Sequence, residues 1–310
     1  MYSKYTYNAG STAANIVADL VLILTGTTSV GALSGDVDAG NTTITATILA
    51  DWVVHDSNSG TDAQVLKAEY DDDAASFKYV NLNLGTAGYI KLELWETWDA
   101  GLDSGTNMAN NSNSNSWAQR VDLTAGGTIY IFASERFMMM VSSIPAGWGS
   151  SSGQGPTGVF ERTRALEFDT VGAGYPRGVW GEFGVAESSS ASFGYAPRLL
   201  DKDGITEETG SSALLKVGSV GIPNIFSSPP SGVDEKIPDG IGGFKIPFYP
   251  AYVFNETLMP APYGELSSTC NIWKIPTGVL VNLQTVTKNS IDYITLKTRD
   301  STAMMVVRAS

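Results

Sequence analysis

The chain has 310 residues and a formal net charge of −13, with 43% hydrophobic and only 16% charged residues. A soluble globular chain carries roughly 25% charged residues, so much of the polar surface here must come from Ser, Thr, Asn and Gly. The acidic balance and the lack of a Lys/Arg stripe exclude nucleic-acid binding through phosphate contacts. The single cysteine, Cys270, excludes an intrachain disulfide.

The first predicted element is a helix. Ile16, Val17, Leu20, Ile23 and Leu24 recur at helical spacing, Ser11 or Thr12 can cap the start, and Gly26 can end it. A buried strand through 21–24 is the alternative. The apolar run 16–24 is broken by Asp19, has only Lys4 ahead of it and is too short to cross a bilayer. Neither a signal peptide nor membrane insertion is expected.

Almost everything after the helix reads as strand. Residues 42–49 are a β-branched run and 52–55 a short one. Asp71-Asp72-Asp73 then separates strand-like 65–70 from 77–84. A calcium loop needs alternating oxygen ligands, a glycine at the bend and a bidentate Glu. Consecutive aspartates offer none of this, and a turn between two strands is expected instead. Asp36-Val37-Asp38-Ala39-Gly40-Asn41 has better spacing, yet a turn is preferred there too. Residues 78–84 and 89–95 flank Gly85-Thr86-Ala87-Gly88, a hairpin connection. In the second of these strands Ile90, Leu92 and Leu94 share one face, while Lys91 and Glu93 share the other, which is expected to be wet. Strands over 128–133 and 137–141 follow, the first after Ala125-Gly126-Gly127.

Residues 145–158 hold too much Gly, Ser and Pro for a regular element. They divide the chain into a β-rich domain with the helix (1–145), a loop or boundary (146–158) and a second β-rich domain (159–310). The second opens with strand-like 159–163 and 166–169. Nine of the thirteen prolines fall in 223–276. Proline removes a ladder donor, so this arm is expected to be extended and loop-rich with short edge strands. Strand character returns at 278–287, 291–299 and 304–308, with a turn at Lys288-Asn289-Ser290. The fold class is therefore mainly β: antiparallel sandwich or barrel-like units, one N-terminal helix and a proline-rich extended excursion.

Chemistry is sparse. Gly149-Ser150-Ser151-Ser152-Gly153 satisfies G-x-S-x-G, but it lies in a Gly/Ser loop rather than between strand and helix. The only histidine, His55, precedes it, which is the wrong order for that hydrolase class. Any other serine triad would have to use His55, which reads as the end of a strand running into a turn. One histidine and one cysteine exclude the usual zinc and other transition-metal sites, and no phosphate-binding glycine loop is present. No catalytic, cofactor or metal residue is expected. One stretch, ELWETWD, interleaves Glu93, Glu96 and Asp99 with Trp95 and Trp98. Aromatic faces beside carboxylates suit a sugar site, either binding alone or a glycoside hydrolase using Glu93 or Glu96. Ordinary core or interface packing of the two tryptophans is the competing reading.

Several stretches together resemble a loosely defined group of tailed-bacteriophage virion proteins. They are KYTYNAGSTAANIVADLVLILTG (4–26), DWVVHDSNSGTDAQVLKAEY (51–70), FKYVNLNLG (77–85), IYIFASERFMMM (129–140), the G-V-F-E strand (158–162) and AGYPRGVW (173–180). The resemblance covers about half the chain, mainly its first 180 residues, and no motif in it carries chemistry. It implies a non-enzymatic structural component of tail, baseplate or neck rather than a capsid decoration protein. It also implies homo-oligomers in the virion, assembled in the bacterial host cytoplasm, with copies of itself and other virion proteins as partners. Phe226, Phe244, Phe248, Tyr249, Tyr252 and Phe254, in the proline-rich half, are candidate interface anchors. Closure of their own domain's core is the equal alternative.

Overall fold

The computed structural model describes residues 2–26, 45–46, 52–57, 63–70, 73–85, 88–108, 119–143, 157–161, 180–183, 199–200, 207–208, 215–218, 237–238, 244–245, 248–250, 252–255, 262–265, 271–275, 283–297 and 304–309. In chain order its elements begin with β1 (Tyr2–Tyr7), α1 (Ala13–Thr25), β2 (Thr45–Ala46), β3 (Val53–Asp56), β4 (Ala63–Tyr70), β5 (Asp73–Gly85) and β6 (Tyr89–Asp99). Next come β7 (Ser104–Met108), β8 (Gln119–Arg120), β9 (Gly127–Ser134), β10 (Phe137–Ser143), β11 (Thr157–Glu161) and β12 (Trp180–Phe183). Short strands follow: β13 (Leu199–Leu200), β14 (Glu207–Glu208), β15 (Leu215–Gly218), β16 (Ile237–Pro238), β17 (Phe244–Lys245) and β18 (Tyr249–Pro250). The last are β19 (Tyr252–Asn255), β20 (Pro262–Glu265), β21 (Ile272–Ile275), β22 (Thr285–Lys288), β23 (Ile291–Lys297) and β24 (Met304–Arg308).

The chain is mainly β with antiparallel pairing and one helix among the described residues. One six-stranded sheet runs β12-β11-β10-β9-β1-β2, and a second sheet runs β3-β4-β5-β6-β7 with β8 paired to the start of β6. A five-stranded sheet runs β18-β21-β24-β23-β22. No strand order closes on itself, so no barrel is formed among the described residues. β11 and β12 belong to the same sheet as β1, β9 and β10, and β11 begins at Thr157, within the 146–158 stretch read from sequence as a loop or boundary.

Helix α1 forms where the apolar spacing placed it. Thr12 is the N-cap, its hydroxyl accepting from the Asn15 N–H at 3.2 Å, and Gly26 closes the helix at φ 69. Ile16, Val17, Leu20, Ile23 and Leu24 are buried, and so are Val21 and Asp19. A helix buried this widely sits inside a core. Asp19 tolerates that position because the Tyr5 hydroxyl donates to its carboxylate at 2.7 Å.

A single apolar cluster joins α1 to one face of each six-stranded sheet. Tyr5, Tyr7, Ile129, Ile131, Ala133, Met138 and Met140 come from the first, and Leu66, Val80, Leu82, Leu84, Ile90 and Leu92 from the second. Period-2 alternation puts these residues on common faces, and the observed registers align them, Tyr5 with Ile129, Ile131 with Met140, and Leu82 with Leu92. Each such side chain removed from water contributes about 1.5–3 kcal/mol. Trp52 ties the entrance of β3 to the other sheet by donating its indole N–H to the Ser134 carbonyl at 2.8 Å.

Hairpins fall where turn residues were read. β4 and β5 pair through Tyr70 and Asp73, so the aspartate run is a strand connection; Asp71 and Asp72 lie outside the described residues. Asn289 and Ser290 both adopt positive φ (52 and 63) between the paired Lys288 and Ile291, the geometry a two-residue hairpin requires. The proline-rich span departs from expectation at β21, which lies between β18 and β24 rather than at an edge. Ile272–Ile275 contains no proline, so its ladder keeps every donor. Residues 36–41, 149–153 and 166–169 lie outside the described residues.

Candidate functional site: the outer face of the β3–β7 sheet

The face of the second sheet turned away from α1 carries the polar and aromatic residues of its strands. Tyr79 on β5 pairs with Trp95 on β6, and Asn81 pairs with Glu93, so these four form a rectangle on one surface. Two residues of β3 join them through a bulge. The register steps from Val54↔Leu66 to Asp56↔Val65, which leaves His55 as an extra residue and lets His55 and Asp56 address the same face. The His55 ring lies 4.9 Å from that of Tyr79.

Trp98 spans this face. Its indole N–H donates to Asp56 Oδ2 at 2.8 Å, and its ring stands edge-on to Trp95 at 5.5 Å. Trp98 lies past the last β5–β6 pair, Tyr79↔Trp95, in the part of β6 that pairs only with β7, and from there its side chain reaches Asp56 on β3. Gly105 on β7 is required by close approach: a Cβ there would collide with the Thr97 carbonyl oxygen and lie 2.7 Å from Cε3 of the Trp95 ring.

One expectation is overturned: the alternation on β6 puts Glu93 on a wet face, yet it is only 8% exposed, as is its cross-strand partner Asn81. Asn81 Nδ2 donates to Glu93 Oε2 at 2.9 Å. Burial pushes the Glu93 carboxyl up from its ordinary value, against the smaller opposing effects of the Asn81 hydrogen bond and the nearby Lys91 charge. Three further polar atoms here are shielded from solvent and have no hydrogen-bond partner among the described residues: Asn81 Oδ1, His55 Nε2 and Trp95 Nε1. Leaving such a group unanswered costs about 1–3 kcal/mol.

The sequence-derived candidates are thus partly reunited. Trp95, Trp98 and Glu93 share the site, and His55 joins them from β3. Asp99 does not: its carboxylate accepts from the Gly101 N–H at 2.8 Å in the turn after β6. Glu96 lies on β6, whose bounds are known while its own side chain is outside the described residues. Tyr79, Asn81 and Asp56 were not singled out. The first two were reachable by counting outward from the Gly85–Gly88 connection, which sets Asn81 opposite Glu93 and Tyr79 opposite Trp95. No sequence signal announces the β3 bulge that adds Asp56.

Of the proposed interface anchors, Phe248 packs in the small core of the five-stranded sheet with Ile275, Val306, Trp273 and Tyr293, edge-on to Tyr293 at 4.9 Å. Phe244 lies on β17, Tyr249 on β18, and Tyr252 and Phe254 on β19, while Phe226 is outside the described residues. Among the described residues no three His, Cys, Asp or Glu side chains gather as metal ligands. No helix there is long and apolar enough to cross a membrane. Compared with known protein families and with curated proteins, the chain matches no family and no curated sequence.

Proposed function

We propose that this chain is a non-enzymatic structural component of a tailed-phage virion, placed in tail, baseplate or neck and working through contacts with copies of itself and with other virion proteins. One observation carries the reading. Of the stretches that resemble phage virion proteins, four fall on β1 with α1, β3 with β4, β5, and β9 with β10, and together these supply most of the core around α1. Most of what they contribute is buried apolar surface, which supports a structural role. In this reading the two six-stranded sheets and the helix form one sandwich-like unit.

The strand edge at β3 offers a way to assemble. β3 ends its sheet, and Val53 and Val54 are 49% and 46% exposed. An apolar strand edge is a template that a neighbouring chain can extend. Lysine at both positions is expected to abolish incorporation while leaving the monomer folded. The direct test is mass spectrometry of purified particles followed by a low-resolution map. Absence of the chain from intact particles defeats the proposal.

A further inference from the structure

We infer that the face bounded by His55, Asp56, Tyr79, Asn81, Glu93, Trp95 and Trp98 binds a neutral saccharide, with Trp98 as its movable cover. The inference is independent of the virion reading, since it concerns the isolated chain.

The ligand class follows from what the face leaves unanswered. Asn81, more than nine-tenths buried, spends Nδ2 on Glu93 and keeps Oδ1 without a partner among the described residues. Toward an ionised Glu93 only the NH2 end can donate, and toward a protonated one the amide can turn, but in either orientation one of its two polar atoms is left over. Trp95 Nε1 is a donor without an acceptor, and His55 Nε2 has no partner either. An acceptor, a donor and an imidazole nitrogen that can serve as either are answered together by hydroxyl groups, each of which both donates and accepts. Around them stand the rings of Tyr79, His55, Trp95 and Trp98, two in edge contact at 5.5 Å and two at 4.9 Å. Such rings give an apolar surface to the C–H faces of a sugar ring.

The charges narrow the choice. The carboxyl groups of Asp56 and Glu93 disfavour an anionic ligand. An organic cation suits aromatic rings and carboxylates, but its ammonium head has no acceptor for the Trp95 N–H and at most one hydroxyl, as in choline, is left to answer three atoms. Neutral sugars fit all of these groups.

The three unanswered atoms are closed to solvent, so something must move. Trp98 is the candidate: it is half-buried, and the hydrogen bond to Asp56 holds it across the face. Release of that bond swings the indole aside and opens the floor of the site.

The test uses the full chain and its tryptophan fluorescence, titrated with neutral hexose, deoxyhexose and N-acetylhexosamine oligosaccharides to about 10 mM, roughly ten times a weak millimolar dissociation constant. At least one class is expected to give a saturable emission change. Trp98→Phe, which keeps the ring and loses the bond to Asp56, is expected to tighten that binding several-fold. Asn81→Ala is expected to weaken it about tenfold or more. Should Asn81→Ala fail to fold, His55→Ala reads the same loss at a half-buried position. Saturation by choline instead of sugars overturns the inference in favour of an organic cation. A folded wild type and a folded Trp98→Phe that answer no sugar class overturn it as well, and an ordered water bridging the three atoms would then account for them.

Discussion

The two faces of the β3–β7 sheet use the same strands to opposite ends. Toward α1, Leu66, Val80, Leu82, Leu84, Ile90 and Leu92 are all buried in one apolar cluster. Away from α1, Asp56, Asn81 and Glu93 are buried as well, but among aromatic rings and with polar atoms left unanswered. The first face gains most of its stability from buried apolar area, and its one buried charge among these strands, Lys78, donates to the Glu69 carbonyl. The second carries groups that cost stability unless paired, so its composition is not what a purely structural face selects. Burial by itself therefore does not separate core from site. What marks the outer face is that three unanswered atoms, on Asn81, His55 and Trp95, lie among aromatic rings on neighbouring strands.

The largest effect that tests this contrast is on the inner face. Leu82→Ala is expected to destabilise the chain by about 2–5 kcal/mol, read as a lowered urea midpoint. A loss below 1 kcal/mol would mean that the helix-centred cluster is not the principal core. On the outer face, Gly105→Val sets side-chain atoms against the Thr97 carbonyl and the Trp95 ring and is expected to cost about 1–3 kcal/mol. Near-ultraviolet circular dichroism should change with it, because the Trp95–Trp98 edge contact is lost. An unchanged spectrum would place the two rings elsewhere. At the start of α1, Thr12→Ala removes the cap to the Asn15 N–H and is expected to cost about 1 kcal/mol.

Much of the fold was legible because local signals agreed with tertiary demand. The helix was marked by spacing and by both of its caps, Thr12 and Gly26. The β5–β6 hairpin was marked by alternation and by glycines at its connection, and Gly88 indeed takes φ 74. The site was legible only in part. Trp95, Trp98 and Glu93 stood out as residue types, but alternation implied that Glu93 met water. Alternation reports which face a residue occupies and says nothing about whether that face is then covered. The Trp98–Asp56 contact joins residues 42 apart and leaves no trace in either local stretch. In the proline-rich half, proline marked where ladders are interrupted. It could not tell that Ile272–Ile275, free of proline, lies within a sheet.

The smallest effect is also the most specific to the outer face. Burial raises the Glu93 carboxyl above its ordinary value, so between that value and the raised one the native chain holds more proton than the unfolded chain. Stability from this group is then fully present at pH below the ordinary glutamate range, about 4.3, and is lost as pH rises through the folded value. Glu93→Gln cannot ionise, and its amide oxygen still accepts from Asn81 Nδ2. The variant is therefore expected to gain on the wild type as pH climbs from about 4 toward 8, with the urea midpoints closest at the acid end. A gap that narrows with rising pH would mean that the carboxylate form is the one the face prefers, through Asn81 and Lys91, and that Glu93 is held as a charge rather than as a buried acid.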